Sequence, residues 1–284
     1  MLAIAAVVPE TALLVPGAAG RAVVLEDLRA AAVAAVRDVV RSAPDRVVVV
    51  APGPVDRTLD GPVRPSLAAA GIDDGDLGWA LPDDVPSPAR TAAEVGRPTP
   101  GVGASVALLL LAAGGWTGPT TVVEVAPPAP DSVVAGQRGV DGERAGALRA
   151  LGAGLVGRSG RVALVVAGSL SARNGPQAPH PADDRAWPLD AAILDDLSRG
   201  DPPARLRLAA IPGTLAAELV VTVWAPLQVL LGAAAGSPSL EAAAAHAGAP
   251  YGVAYAVATW RASSAPVDAG PHGPHGPHGR GVAR

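Results

Sequence analysis

Residues 161–201 read RVALVVAGSLSARNGPQAPHPADDRAWPLDAAILDDLSRGD, and the fold class follows from them. Val162 to Val166 is a short, unbroken apolar run rich in β-branched residues, the pattern of a strand buried on both faces. Such strands belong to sheets covered by helices on either side. The run gives way abruptly to Gly168-Ser169-Leu170-Ser171-Ala172-Arg173, where small and hydrogen-bonding side chains replace the apolar ones. A polar, proline-rich loop follows, and Leu189, Ile193 and Leu194 then recur at helical spacing, which predicts a helix over Leu189–Leu197. In an open α/β sheet the ligand crevice forms at the carboxyl ends of the strands. Ser169 to Arg173 are therefore expected to line it.

Working outward, the same alternation of strand and helix recurs. Leu2–Val8 reads as a first strand stopped by Pro9, with a loop over Glu10–Gly20. Val24, Leu28, Val33, Val36 and Val39 place a helix up to Arg41, and Val47–Val50 is a second buried strand ending at Pro52-Gly53-Pro54. Val55–Pro100, rich in Pro, Gly and Asp, reads as irregular chain with short edge strands. A helix over Val102–Ala113, a strand over Thr120–Val125 and a helix over Glu143–Val156 lead back to Val162. Beyond the opening stretch, helices are expected over Thr214–Val223 and Leu227–Ala235, and a last strand over Tyr251–Trp260. The expectation is a single α/β domain over residues 1–264, with a mostly parallel central sheet and helices on both faces. Residues 265–284 repeat Gly-Pro-His three times and cannot bury a core, so they read as a disordered tail.

Composition narrows the function. Nearly half of the 284 residues are apolar, yet there is no Phe, so Val, Leu and Ala must fill the interior. Cysteine is absent, which removes thiolate and disulfide chemistry. A formal charge of −4 gives no basic excess for nucleic acid. Leu2–Val8 is too short to span a membrane and lacks the flanks of a leader peptide, so a cytoplasmic protein is expected.

Several residues have the right chemistry for a site. Glu10, His180, Arg173, Ser169 and Ser171 stand in the loops after the first and fourth predicted strands. His180 lies where it could swing into the crevice. Tyr251 and Tyr255, four apart on the last predicted strand, are expected on one face. Asp183, Asp184 and Asp190 read as helix-start acids complementing the macrodipole, and Arg173 and Arg185 as their partners or as carboxylate binders. His246 reads as a cap or turn residue. His272, His275 and His278 lie close enough along the tail to bind a divalent metal weakly. Gly101-Val102-Gly103-Ala104-Ser105 half-matches a dinucleotide fingerprint but follows no buried strand.

The order strand, Gly-x-Leu-Ser-x-Arg, proline-rich loop, aromatic-x-x-Asp, helix, Gly-Asp resembles the class III extradiol dioxygenase subunit-B-like superfamily, which includes the Memo proteins. There the strand ends Gly-Asp-Leu-Ser-His-Arg; here Ser169 stands at the Asp and Ala172 at the His, and Trp187-Pro188-Leu189-Asp190 replaces Phe-Asp. The family's first iron-binding His corresponds to Glu10, and its second, in Ser-Pro-His, to Gly53 of Ala51-Pro52-Gly53. Its carboxylate ligand, counted from Gly232-Ala233, falls near Val223, with Glu218 the nearest acid. Ala249-Pro250-Tyr251-Gly252-Val253 resembles the ending of small bacterial members.

The resemblance implies the family's fold with a degenerate site. A facial iron site needs two imidazoles and a carboxylate, and Gly53 has no ligand atom while Ala172 cannot move a proton. The expected reading is a non-catalytic relative that keeps the crevice for a ligand or a protein, with no cofactor and no known partner. Its crevice would comprise Glu10, Gly53, Ser169, Ser171, Arg173, His180 and Tyr251. The alternatives are an active Fe(II) ring-cleavage or other metal-dependent enzyme with a rebuilt site, or a hydrolase using Ser169 or Ser171. A homo-oligomer is compatible with either, as the family's subunits pair. In the repacked crevice Glu10 is expected to pair with Arg173, so that Glu10→Gln would lower stability.

Overall fold

A computed structural model describes residues 1–73, 77, 79, 98–128, 138–157, 160–237 and 239–263. The histidine-containing tail lies outside the described residues. Seven strands form one sheet: β1 (Leu2–Val8), β2 (Arg46–Pro52), β3 (Arg57–Asp60), β4 (Thr120–Val125), β5 (Val162–Ala167), β6 (Leu240–Gly248) and β7 (Tyr255–Ala262). Their spatial order is β3-β4-β2-β5-β1-β7-β6. β4, β2, β5 and β1 run parallel, and β3, β7 and β6 join antiparallel at the flanks. This is the mostly parallel sheet of a single α/β domain. Every residue of β1 and β5 is buried, as are most of β2 and β4, which is why these strands show no polar alternation in sequence.

Two helices cover one face: α1 (Glu26–Arg41) and α2 (Val102–Ala113). α1 begins with Glu26 and Asp27 and ends with Arg41, complementing its dipole, and turns Leu28, Ala32, Ala35, Val36 and Val39 inward. Arg29 on its first turn donates to the carbonyls of Leu13, Leu14 and Val24, tying down the loop after β1. The other face carries α3 (Arg138–Val156), α4 (Ala186–Arg199), α5 (Pro202–Ala209), α6 (Gly213–Glu218) and α7 (Trp224–Ala234). α2 and α7 are apolar around most of their circumference, and both are buried accordingly. No helix among the described residues is long and apolar enough to cross a membrane.

Some expected elements differ. The helix expected over Thr214–Val223 stops at Glu218, because Val220 takes a left-handed conformation (φ 56°) and the chain turns through Leu219–Val223. α5 starts at Asp201-Pro202-Pro203, where the Asp201 side chain accepts from the Ala204 amide at 2.7 Å. Five of the nine residues of β6 are alanine, and it carries little strand signal. β7 starts at Tyr255 rather than Tyr251, which sits in a separate 3-10 turn, Pro250–Gly252.

Candidate functional site

The carboxyl ends of β1 and β5 are joined by a hydrogen bond from the Gly168 amide to the Val8 carbonyl, 3.1 Å. From there residues 168–174 run between two connections. On one side the α6–α7 turn is bound through Val223 N to Ser169 O (3.0 Å) and Ala172 N to Leu219 O (3.1 Å). On the other the β6–β7 connection is bound through Leu170 N to Ala254 O, Ala254 N to Ser171 O and Asn174 N to Gly252 O. Gly168 must be glycine here: a Cβ would lie 2.5 Å from the Val223 Cα.

Glu10 sits over this junction. Its carboxylate accepts from the hydroxyl of Thr222 and, at 3.4 Å, from that of Ser169. The Thr222 hydroxyl in turn accepts from the Ser169 amide at 2.8 Å. The first turn of α2 closes the other side, so that a Cβ on Gly103 would lie 3.0 Å from Glu10 Oε2 and 3.7 Å from Pro52. Burial pushes the Glu10 carboxyl above the usual carboxylate range, against the opposing pull of the Thr222 and Ser169 hydroxyls. Tyr255 lies beside it, hydrogen-bonded to Thr11. Burial raises its pKa, Thr11 lowers it, and the charge of Glu10 adds to the rise.

Gly53 marks a second carboxylate. A Cβ on Gly53 would approach the Glu124 Cβ to 2.7 Å, and one on Gly101 would come within 3.2 Å of Glu124 Oε1. Glu124 is fully buried in β4. It accepts from Arg57 Nε and, at 2.5 Å, from the Gly101 amide that opens α2. The space a histidine would need at position 53 is therefore held by Glu124. Sequence reasoning passed over this residue. Its signal was a lone acid in a strand otherwise read as buried, with its cationic partner in the separate segment Arg57–Asp60.

Ser171 and Asp190 form a third, buried unit. Asp190 accepts from the Ser171 amide (2.9 Å), the Ser171 hydroxyl (2.5 Å) and Asn174 Nδ2 (2.8 Å). Asn174 Nδ2 also donates to the Ser171 hydroxyl at 2.8 Å. Asp190 is thus a clamp between loop and helix rather than a solvated helix-start acid. Asp183 does serve locally: the Arg185 guanidinium and amide hold it well below the usual range, at about 2.

The other expected site residues lie elsewhere. Arg173 does not pair with Glu10; it donates to the Pro181 carbonyl at 3.0 Å. Its Nε is buried without a hydrogen-bond partner. The hydroxyls of Ser169 and Thr222 take the place at Glu10 expected for the guanidinium. His180 is exposed. Tyr251 is 53% exposed at φ 56°, so it does not share a strand face with Tyr255, which is buried. Glu218 is bound on the surface by Arg185 at 2.7 Å. His246 lies in β6 next to a register shift, not in a turn.

The donor set does not fit ferrous iron. Glu10 supplies one carboxylate, Gly53 none, and Glu218 is engaged by Arg185. Among the described residues no three His, Cys, Asp or Glu side chains converge as metal donors. The residues suit hydrogen bonding, with a carboxyl at Glu10 that burial makes harder to ionise.

No family model and no curated protein matches the chain. Among solved structures, an uncharacterized protein from Escherichia coli K12 aligns with 91% of this chain and 99% of its own, at 14% identity and a TM-score of 0.47.

Proposed function

We propose that the chain is a non-catalytic relative of the class III extradiol dioxygenase subunit-B-like proteins, using the strand-end crevice for binding rather than for chemistry. One observation carries the reading: the two positions that would supply iron-binding imidazoles are occupied by a repacked polar structure. Glu10 is hydrogen-bonded by Ser169 and Thr222, and Gly53 abuts Glu124, itself paired with Arg57. A lone carboxylate does not fix a transition metal with open coordination positions. Nor do the serines support acyl transfer, since Ser171 donates to Asp190 and, among the described residues, neither hydroxyl hydrogen-bonds an imidazole.

Metal analysis after anaerobic Fe(II) loading tests this. Far less than one iron per chain should survive chelation, and catechol should not be opened under oxygen. Stoichiometric iron together with ring cleavage would overturn the proposal.

A further inference from the structure

At the amino-terminal edge of the parallel strands, the end opposite the Glu10 junction, the sheet face under α3 carries two charges of opposite sign. Arg46 opens β2 and shares a face with Val48, since side chains alternate along a strand. Thr121 of β4 stands opposite Val48 in one ladder and opposite Asp60 of β3 in the other. Arg46 and Asp60 therefore lie on the same face of the sheet, on either side of Thr121.

The last turns of α3 pass over this part of the sheet and leave a cavity of about 290 Å³ beneath them. Arg46, Thr58, Asp60 and Thr121 line it from the strands, and Leu151, Gly154 and Leu155 from the helix. Gly154 keeps the space open, because a Cβ there would meet nothing within 4 Å. The volume lies at the small end of the range for small-molecule sites.

Each charge is anchored by a neighbour rather than by the other. The half-buried Arg46 donates from Nη2 to the Leu155 carbonyl at 2.5 Å, which holds the guanidinium against the end of α3 inside this cavity. Asp60 accepts from the Thr121 hydroxyl through Oδ1 at 3.1 Å. Among the described residues neither makes an ion pair. Arg46 Nε and Nη1 and Asp60 Oδ2 are left for a ligand. Beside them Leu151, 36% exposed, and Leu155 offer an aliphatic surface.

We propose that this cavity binds a small aliphatic amino acid as its zwitterion, the carboxylate on Arg46, the ammonium on Asp60 and the hydrocarbon against Leu151 and Leu155. A guanidinium is suited to paired hydrogen bonds with a carboxylate, and a carboxylate accepts readily from an ammonium. A simple carboxylate would bring its charge towards Asp60 and leave that acid unanswered. A simple amine would do the same to Arg46. Only a molecule carrying both groups answers both walls, and its apolar part gains by covering the leucines. The site is independent of the Glu10 crevice.

Calorimetric titration of the full chain with L-leucine tests the assignment, against isocaproate, which lacks the ammonium, and isoamylamine, which lacks the carboxylate. Leucine should bind saturably and about tenfold or more tighter than either analogue. Arg46→Gln should reduce leucine to the level of the amine, and Asp60→Asn to the level of the acid. The second variant keeps an acceptor for Thr121, so it remains informative if Arg46→Gln, which loses the Leu155 contact, disturbs the fold. Gly154→Phe fills the cavity from α3 and should abolish binding. Absence of saturable leucine binding, equal binding of either analogue, or leucine binding that survives Gly154→Phe would overturn the proposal.

Discussion

At Glu10 the chain places an ionisable group in a largely buried position, and among the described residues no cation pairs with it. The fold therefore holds the proton to higher pH than the unfolded chain, whose reference value is 4.5. Between the unfolded and folded values the native state binds more protons. Stability accordingly falls as pH rises through that window and stays reduced above it. Glu10→Gln keeps an acceptor for Thr222 and Ser169 but cannot ionise. Its melting temperature should match the parent's below about pH 4 and exceed it increasingly towards neutrality, the reverse of what an Arg173 partner would dictate. Melting curves across that pH range decide between the two. The error in the sequence reading has a physical origin. An Arg at the mouth of a proline-rich loop can turn either way, and the competing hydroxyl, Thr222, lies 212 residues from Glu10. The same distance problem hid Glu124 and Arg57, whereas Gly53 was legible as a position lacking a ligand atom.

Elements with uninterrupted apolar β-branched runs could be read directly, and so could α2, whose observed bounds, Val102–Ala113, are those expected. β6 could not, because alanines carry neither alternation nor β-branching; its strand state depends on pairing with β7. Helix contacts show another limit of sequence. Gly146, Gly152 and Gly154 look alike along α3, but only Gly152 meets a neighbour: a Cβ there would lie 1.9 Å from the Val229 carbonyl oxygen of α7. Gly232 on α7 faces the Arg149 carbonyl of α3 as closely. The two backbones are in near contact through paired glycines. Gly152→Ala must push α7 away, an overpacking that costs roughly 1–3 kcal/mol or more. Gly154→Ala meets nothing within 4 Å and should stabilise α3 by about 0.5–1 kcal/mol through helix propensity. Urea melts of the two variants should shift in opposite directions. Equal shifts would show that α3 and α7 are not packed through these residues.

Across the whole molecule, stability should be graded from the middle of the sheet outward. β5 pairs with β1 and β2, is buried along its length and lies between two helical layers. β6 pairs with β7 alone among the described strands, contains a register shift between Ala244 and His246, and exposes most of its side chains. Opening β6 breaks one ladder and uncovers little apolar surface, whereas opening β5 breaks two and disrupts both cores. Local opening free energy follows such differences in buried contacts and in exposed hydrogen bonds. Hydrogen exchange read by mass spectrometry should therefore show residues 240–248 exchanging well before residues 162–167, with β7 between them. The Glu10 junction should exchange with β5 rather than with β6, because Gly168 and Ser169 are tied to β1 and to the α6–α7 turn. If residues 168–174 instead exchanged as fast as β6, the carboxyl–hydroxyl cluster would be a loosely attached loop, and the picture of a rigidly repacked strand-end site would fail.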